Sequence, residues 1–327
     1  MYELKEYVKD VFKRLKDSVE NLENLVKIEI FTPELYSLIK SLLLAGKRLR
    51  AILTVLSYQA VGGDLENSIP LAIAIELAHN ASLIHDDIVD NDKIRRGNPA
   101  LHKEIGIGNA TVLGDAMILL SIYIVALATS TVDTVKLISK YGFELCDGEF
   151  LDLSLNIKTA SIEDYFLKIN RKTAILFKSS AHIAALAANG STKEIDALSN
   201  FGENIGIIYQ IKDDMNDILE IENGNYSIDL KQGIVTLPLI HFYKNTDKSA
   251  REFLIKIFGK GYTIKNYKKL LKKIEEAGSF KYCKKEIEKF KIKAQNCLKD
   301  LEDNSFKKLL IDYLYYILRL WLKYKLY

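Results

Sequence analysis

Apolar residues recur at helical spacing along most of this chain. Long segments of this kind, which predict α-helices, cover residues 3–27, 34–45, 134–156, 163–189 and 195–222. The segment 111–128 is apolar on every side, so we expect its helix to run through the middle of the molecule. Prolines are few, and we expect each in a loop or a first helical turn: they are Pro33, Pro70, Pro99 and Pro238. The pattern predicts an all-α fold, and the length of 327 residues allows one large domain or two ordinary ones.

Three aspartates follow an uninterrupted apolar stretch. The sequence LAIAIELAHNASLIH leads into Asp86, Asp87 and Asp90, which predicts that all three lie on one helix. Residues four apart share a helix face, so Asp86 and Asp90 direct their carboxylates to the same place. These like charges repel unless a cation lies between them. Mg²⁺ is usually held by one or two carboxylates together with substrate phosphates, and the adjacent Arg95 and Arg96 favour a diphosphate.

The same spacing occurs a second time. Asp213, Asp214 and Asp217 repeat it in the stretch QIKDDMND. One such cluster could be an exposed acidic helix face. Two of identical spacing, each within an apolar helix, favour metal binding. We expect the two helices to face each other across a cavity that holds metal ions and a diphosphate.

Further motifs resemble those of the polyprenyl synthetase family, the all-trans isoprenyl diphosphate synthases. The first cluster is followed by RRGNP and His102, and an earlier GKRLR begins at Gly46. The pairs Lys172-Thr173 and Tyr209-Gln210 precede the second cluster. The match keeps the family's order and spacing over residues 40–240. It implies that residues 1–327 form one domain, a single large helical bundle around a central cavity, of the isoprenoid synthase type. The domain would end in a Lys-rich helical part at residues 250–327.

The resemblance also implies an activity. Isopentenyl diphosphate would be condensed with an allylic diphosphate (dimethylallyl, geranyl, farnesyl or geranylgeranyl) in a reaction that needs Mg²⁺. The metal ligands would be Asp86, Asp87, Asp90, Asp213, Asp214 and Asp217. The diphosphate of isopentenyl diphosphate would be bound by Gly46, Lys47, Arg50, His79 and Arg96. Arg95 and Lys172 would neutralise the departing diphosphate, while Thr173 and Gln210 would direct dipoles at the carbocation. The released diphosphate would take up the proton.

The helix before Asp86 is expected to line the path of the growing prenyl tail. In short-chain members of the family an aromatic residue four or five positions before the first aspartate blocks that path. Here these positions are Ser82 and Ala81, and Ala78 and Ala74 continue with small side chains. We therefore expect an all-trans product of C20 or longer.

Several positions depart from the family pattern. Asn225 and Ile234 stand where the family usually has lysines that help to bind the allylic diphosphate. Lys231 is a candidate for replacing one of these cations. Ala51 stands where a proline usually follows the GKRLR motif.

Composition narrows the remaining classes. With 46 basic and 43 acidic residues, the chain has no strongly basic tract of the kind that binds nucleic acid. Its three scattered cysteines suit reduced thiols. The amino-terminal segment has no apolar signal core, and the apolar run 116–128 is shorter than a membrane span. We expect a cytoplasmic homodimer, whose Lys-rich helices are either solvated or in weak contact with an anionic membrane surface.

Two alternatives remain. A terpene cyclase shares an aspartate-rich first motif, but it does not need the cluster of Gly46, Lys47, Arg50, His79 and Arg96. A non-catalytic or weakly active subunit of a heteromeric prenyl synthase would explain Asn225 and Ile234, although it would not need six aspartates at these spacings.

Overall fold

A computed structural model describes residues 2–26, 32–129, 131–219 and 227–320. These residues form helices throughout, apart from one short hairpin, so the all-α prediction is confirmed. In chain order the elements are α1 (Tyr2–Glu20), α2 (Leu22–Val26), α3 (Pro33–Leu44), α4 (Leu49–Ala60), α5 (Leu65–Val89), β1 (Ile94–Arg95), β2 (Asn98–Pro99), α6 (Leu101–Glu104), α7 (Ile107–Ala128), α8 (Val132–Ser154), α9 (Ile162–Ile169), a π-helical turn (Asn170–Ala174), α10 (Ile175–Ala187), α11 (Thr192–Leu219), α12 (Ile228–Gln232), α13 (Leu237–Lys244), α14 (Lys248–Ile257), α15 (Ile264–Glu276), α16 (Ser279–Cys297), a 3₁₀ turn (Leu298–Asp300) and α17 (Ser305–Arg319).

The chain divides into two compact units, which are described separately. The first comprises Met1–Gly142, Leu176–Gly202 and Cys297–Tyr313, and the second comprises Phe143–Ile175, Glu203–Asn296 and Leu314–Tyr327. That residues 1–327 form one domain stays a prediction.

Helix α5 forms the centre of the first unit. It begins where the Asp64 side chain accepts a hydrogen bond from the backbone of Asn67, an N-cap that satisfies a donor of the first turn. Pro70 lies inside this helix, so its expected place in a loop or first turn is wrong. The run from Leu71 to Leu77 is buried, and it packs against α4 and α7.

Helix α7 does not have the expected central position. One of its sides packs against α5, where the Ser121 hydroxyl donates to the carbonyl of Ala74 at 2.7 Å. Its other side exposes Val112, Leu119 and Tyr123. Apolarity on all sides indicated burial, but the described part of the chain leaves one face uncovered.

Helix α7 is also long and apolar enough to span a membrane by length and composition. The apolar run 116–128 alone is shorter than a span, but the helix that contains it, Ile107–Ala128, reaches that length. A core helix meets the same criterion, and the contacts with α5 account for the apolar residues on that side.

Within the described residues no disulfide joins Cys146, Cys283 and Cys297.

The hairpin after α5 is closed by a tight turn. Arg96 and Gly97 have φ values of 53° and 82°, and Arg95 pairs with Asn98 across the strands. Two consecutive positive φ angles are typical of a type I′ turn, for which Gly is favoured. The hairpin returns Arg95 and Arg96 towards the end of α5.

In the second unit, α9 continues without a break into the π-helical turn. Ser161 and Asp164 form a capping box at the start of α9, which satisfies two backbone donors. A π-helical turn inside an α-helix often occurs at a functional site. Here it carries Lys172 and Thr173.

Candidate active site

The first aspartate cluster lies at the carboxyl end of α5. Asp86 is on the helix and Asp90 caps its end, and the backbone N–H of Asp90 donates to the carbonyl of Asp86 at 2.8 Å. Both side chains are half-buried, as are Ala78 and Ser82 at the same spacing along the helix. One half-buried face of α5 therefore carries Ala78, Ser82, Asp86 and Asp90, as residues four apart should.

Asp87 points away from this face. Its side chain is buried and accepts hydrogen bonds from the Arg95 guanidinium, including one from Nε at 2.6 Å. Arg95 also contacts Asp92 at 3.2 Å. A buried carboxylate needs such a partner, so Asp87 holds the hairpin arginine in place. Its assignment as a metal ligand stays a prediction.

The GKRLR and RRGNP motifs meet in the first unit. A Cβ atom on Gly46 would lie 2.7 Å from Nη1 of Arg96, so the absence of a side chain at Gly46 lets the guanidinium approach the backbone. Gly46 also has a φ of 85°, a conformation that favours Gly. Lys47 is exposed. These residues place positive charge at the amino-terminal end of α4.

Arg50 and His79 are brought together as the sequence predicted. Nη1 of Arg50 donates to Nε2 of His79 at 3.1 Å, and the guanidinium lies over the Phe177 ring, 4.4 Å from its centroid. Burial, followed by the charges of Arg50 and Arg96, lowers the pKa of His79 well below its usual range. The ring is therefore neutral at pH 7. With Nε2 accepting, the proton lies on Nδ1, which is buried and has no partner. This orphaned donor fits an acceptor such as a phosphate oxygen.

Glu76 is an acidic residue of this cluster that the sequence motifs did not reveal. It is buried, and its Oε1 accepts from the backbone N–H of Ala51 at 3.0 Å. The family's usual proline at position 51 could not donate this hydrogen bond. Burial raises the pKa of Glu76, while the charges of Arg50, Arg48 and Arg96 oppose that shift. Glu76 lies one turn before His79, a spacing that marks a shared face but does not reveal burial.

Asp214 is the hydrogen-bonding centre of the second cluster. Its Oδ2 accepts from the Tyr165 hydroxyl at 2.7 Å, and its Oδ1 accepts from Nε2 of Gln210 at 2.7 Å. Oε1 of Gln210 in turn accepts from the Thr173 hydroxyl at 2.7 Å. The predicted residues Thr173, Gln210 and Asp214 thus form one chain of hydrogen bonds. Because both oxygens of Asp214 are engaged, the metal-ligand assignment of Asp214 stays a prediction.

The other acidic residues of this unit lie close to one another. Asp213 and Asp217 are half-buried on α11, and the backbone N–H of Ile228 donates to Asp217 at 2.9 Å. Burial, and then the charges of the neighbouring aspartates, raises the pKa of Asp229 well above its usual range. Burial also raises the pKa of Asp217. Such crowding of carboxylates fits a site that binds a cation.

Lys172 lies between two carboxylates. Its Nζ is 2.8 Å from Oε2 of Glu149 and 2.8 Å from Oδ2 of Asp152. Gly148 makes this placement possible, because a Cβ there would lie 2.4 Å from the backbone nitrogen of Lys172. Close packing of α8 on the π-helical turn therefore sets the position of Lys172.

A second lysine shares Asp152. Nζ of Lys168 is 2.9 Å from Oδ1 of Asp152, and it donates to the carbonyl of Val235 at 2.8 Å. Lys168 is buried. Although burial alone would raise the pKa of Asp152, Lys168 and Lys172 lower it below its usual value. The sequence motifs did not reveal Tyr165, Lys168 or Asp152. The available signal was the spacing of Tyr165, Lys168 and Lys172.

The departures from the family pattern fall partly within the described residues. Ile234 is half-buried in the segment between α12 and α13, and Lys231 is exposed. Asn225 lies outside the described residues. The buried cation next to this segment is Lys168, which bonds to Val235.

The small residues assigned to the tail path lie on two sides of α5. Ala74 and Ala81 have no exposed surface, whereas Ala78 and Ser82 are half-buried. At the far end of the α5–α7 contact a cavity of about 160 Å³ is lined by Pro70, Ile124, Leu127, Ala128 and Leu25. Pro70 precedes Asp86 by about 24 Å along the helix axis, at 1.5 Å per residue.

The donor set of each cluster suits Mg²⁺. Among the described residues no three His, Cys, Asp or Glu side chains are grouped as a complete protein-only metal site. Mg²⁺ usually takes one or two carboxylates and completes its coordination with substrate phosphates and water. The paired Asp86 and Asp90 and the crowded Asp213 and Asp217 fit that requirement.

Comparison with known proteins supports the resemblance seen in the sequence. The polyprenyl synthetase family model matches residues 32–274. A geranylgeranyl diphosphate synthase from Methanosarcina mazei is 34% identical over 261 residues, which cover 77% of this chain and 79% of that protein. A short chain isoprenyl diphosphate synthase from Methanocaldococcus jannaschii is 32% identical over 266 residues, covering 77% of this chain and 81% of that protein. The crystal structure of a geranylgeranyl pyrophosphate synthetase from Pyrococcus horikoshii superposes with a TM-score of 0.85 at 32% identity, and it covers 95% of this chain and 98% of that one.

Proposed function

The chain belongs to the polyprenyl synthetase family, and on this premise we propose that it condenses isopentenyl diphosphate with an allylic diphosphate to give an all-trans prenyl diphosphate of C20 or longer. The observation that carries the proposal is the pair of clusters around Asp86 and Asp213. Arg95 bonds to Asp87 of the first cluster. In the second unit Lys172 bonds to Asp152 and adjoins Thr173, which is linked to Asp214 by hydrogen bonds through Gln210.

Different residues of the chain would bind the metal ions, the diphosphate and the carbocation. Asp86 and Asp90, with Asp213 and Asp217, would hold Mg²⁺, and the bound ions would neutralise the charge that develops on the departing diphosphate. Lys172 would add a cation to the same diphosphate. Thr173 and Gln210 would present oxygen dipoles to the allylic carbocation.

The cationic residues of the first unit would hold the second substrate. Arg50, Arg96, Lys47 and the Nδ1–H of His79 would bind the diphosphate of isopentenyl diphosphate, so that its double bond is positioned for attack. A neutral His79 can donate this hydrogen bond without adding charge. Proton removal would fall to the released diphosphate.

The test is an incubation of the purified chain with Mg²⁺, labelled isopentenyl diphosphate and each allylic starter in turn. We expect labelled prenyl diphosphates in the extract. If the chain alone gives no prenyl product but activates an added synthase, the alternative of a non-catalytic subunit is correct.

Product length is proposed from the small residues of α5. Ala81→Phe should shorten the product by at least one isoprene unit, because the larger side chain would block the tail path. Ala81→Met should give a smaller change in product length. It is the second variant in case Ala81→Phe is destabilised by overpacking, which typically costs about 1–3 kcal/mol. Chromatography of the dephosphorylated products measures the result. The control Ile292→Phe, at an exposed position of α16, should leave product length unchanged, and an unchanged product with Ala81→Phe would refute the assignment.

A homodimer is proposed from the uncovered face of α7. Val112, Leu119 and Tyr123 have 66%, 68% and 38% of their surface exposed, and they lie on one helix face. Apolar patches of this kind usually mark interfaces. Light scattering after size exclusion should give twice the chain mass for the wild type and the chain mass for Leu119→Lys. A monomeric wild-type protein would contradict the proposal.

A further inference from the structure

The second unit contains a charged pair that the proposed chemistry does not use. Lys168 is 5% exposed and bonds to Asp152, and Asp152 also bonds to Lys172. One carboxylate is thus shared by two lysines, each at its own oxygen. Long charged side chains are seldom buried to this degree unless they are paired.

The arrangement bears on how Lys172 can reach a substrate. In the structure Lys172 is occupied by Glu149 and Asp152. To bind a diphosphate it must loosen these contacts, and a buried carboxylate left without a cation is strongly unfavourable. Asp152 avoids that state because Lys168 stays bound to its other oxygen at 2.9 Å.

We propose that Lys168 is a positioning residue: it is the counter-cation that keeps Asp152 compensated while Lys172 turns to the diphosphate of the allylic substrate. The inference rests on the proposed function. Its contact with the Val235 carbonyl fixes Lys168 independently of Lys172, so the compensating charge remains when Lys172 moves.

Removing the charge should trap Lys172 on Asp152. Lys168→Met is expected to raise the KM for geranyl diphosphate about tenfold, equivalent to about 1.4 kcal/mol, while the KM for isopentenyl diphosphate stays within twofold. Lys168→Arg should retain most of the wild-type affinity. The matched control Lys248→Met removes an exposed cation of the same unit and should leave both KM values unchanged.

A second substitution separates this role from a merely structural one. In Lys168→Met/Asp152→Asn the carboxylate that needs compensation is gone, so the KM for geranyl diphosphate should return towards the wild-type value. A contribution of Lys168 to packing alone predicts no such recovery. Lys168→Gln replaces Lys168→Met if thermal melting finds the Met variant unfolded.

Calorimetric titration with inorganic pyrophosphate and Mg²⁺ gives a readout that does not depend on turnover. The affinities for pyrophosphate should follow the same order as the KM values. Wild type, Lys168→Arg and the double variant should bind alike, and Lys168→Met should bind about tenfold more weakly. Equal affinity for Lys168→Met and wild type, or no recovery in the double variant, would overturn the inference. If the four proteins bind pyrophosphate in this order but the wild type forms no prenyl product, the proposed function fails and the role of Lys168 stands.

Discussion

Asp86→Asn should lower kcat by about a thousandfold, the scale expected when a group that stabilises the developing charge is lost. Asparagine keeps the size and the hydrogen-bonding oxygen of aspartate, but it removes the negative charge that would bind Mg²⁺. Asp213→Asn should have an effect of the same order, since the second cluster would hold metal ions on the same diphosphate. The rate of prenyl product formation at saturating substrates measures both effects.

Each of these variants has a matched control. Glu66→Gln on α5 and Asp196→Asn on α11 also remove one negative charge, at exposed positions of the same helices. Both controls should keep kcat within about twofold, because exposed charges far from the clusters are largely screened. Retention of more than a tenth of the activity in Asp86→Asn would contradict the role given to Asp86.

Gly148→Ala should impair both stability and activity. The new Cβ would lie 2.4 Å from the backbone nitrogen of Lys172 and 2.6 Å from the carbonyl carbon of Arg171. These are backbone atoms, so α8 and the π-helical turn must move apart, and we expect a loss of about 1–3 kcal/mol in the free energy of unfolding. The displacement of Lys172 should lower kcat/KM by about a hundredfold, as misplacement of a catalytic group by about 1 Å can do.

The same helix provides the control. A Cβ at Gly142 would meet nothing within 4 Å, so Gly142→Ala should raise the free energy of unfolding by about 0.5–1 kcal/mol through its better helix propensity. Urea denaturation and steady-state kinetics of the two variants test the prediction. If Gly148→Ala matched Gly142→Ala in stability, the close contact between α8 and the π-helical turn would not exist.

The sequence predicted the helices of the fold better than it predicted which of their sides are buried. The spacing of apolar residues predicted the helices that carry Asp86 and Asp213, and both helices are present, as α5 and α11. It failed for α7, whose apolar residues surround the helix: such a pattern does not say which side the rest of the chain covers. Pro70 was misplaced because the helix begins before it, at a cap supplied by Asp64.

The candidate site was predictable where motifs carried it. Arg50 with His79, and Thr173 with Gln210, are joined as the motifs suggested. The supporting residues were missed because their state depends on partners distant in sequence. Lys168 resembles a surface lysine until Asp152 and Val235 are seen beside it.

The central claim is that two acidic clusters, each holding divalent ions, release the diphosphate of the allylic substrate. Its most direct test is a single-turnover measurement of pyrophosphate release from geranyl diphosphate in the presence of isopentenyl diphosphate. The account predicts one pyrophosphate for each prenyl bond formed, no release when EDTA removes Mg²⁺, and a loss of about a thousandfold in both Asp86→Asn and Asp213→Asn. Release at the wild-type rate by either variant, or in the presence of EDTA, would contradict it.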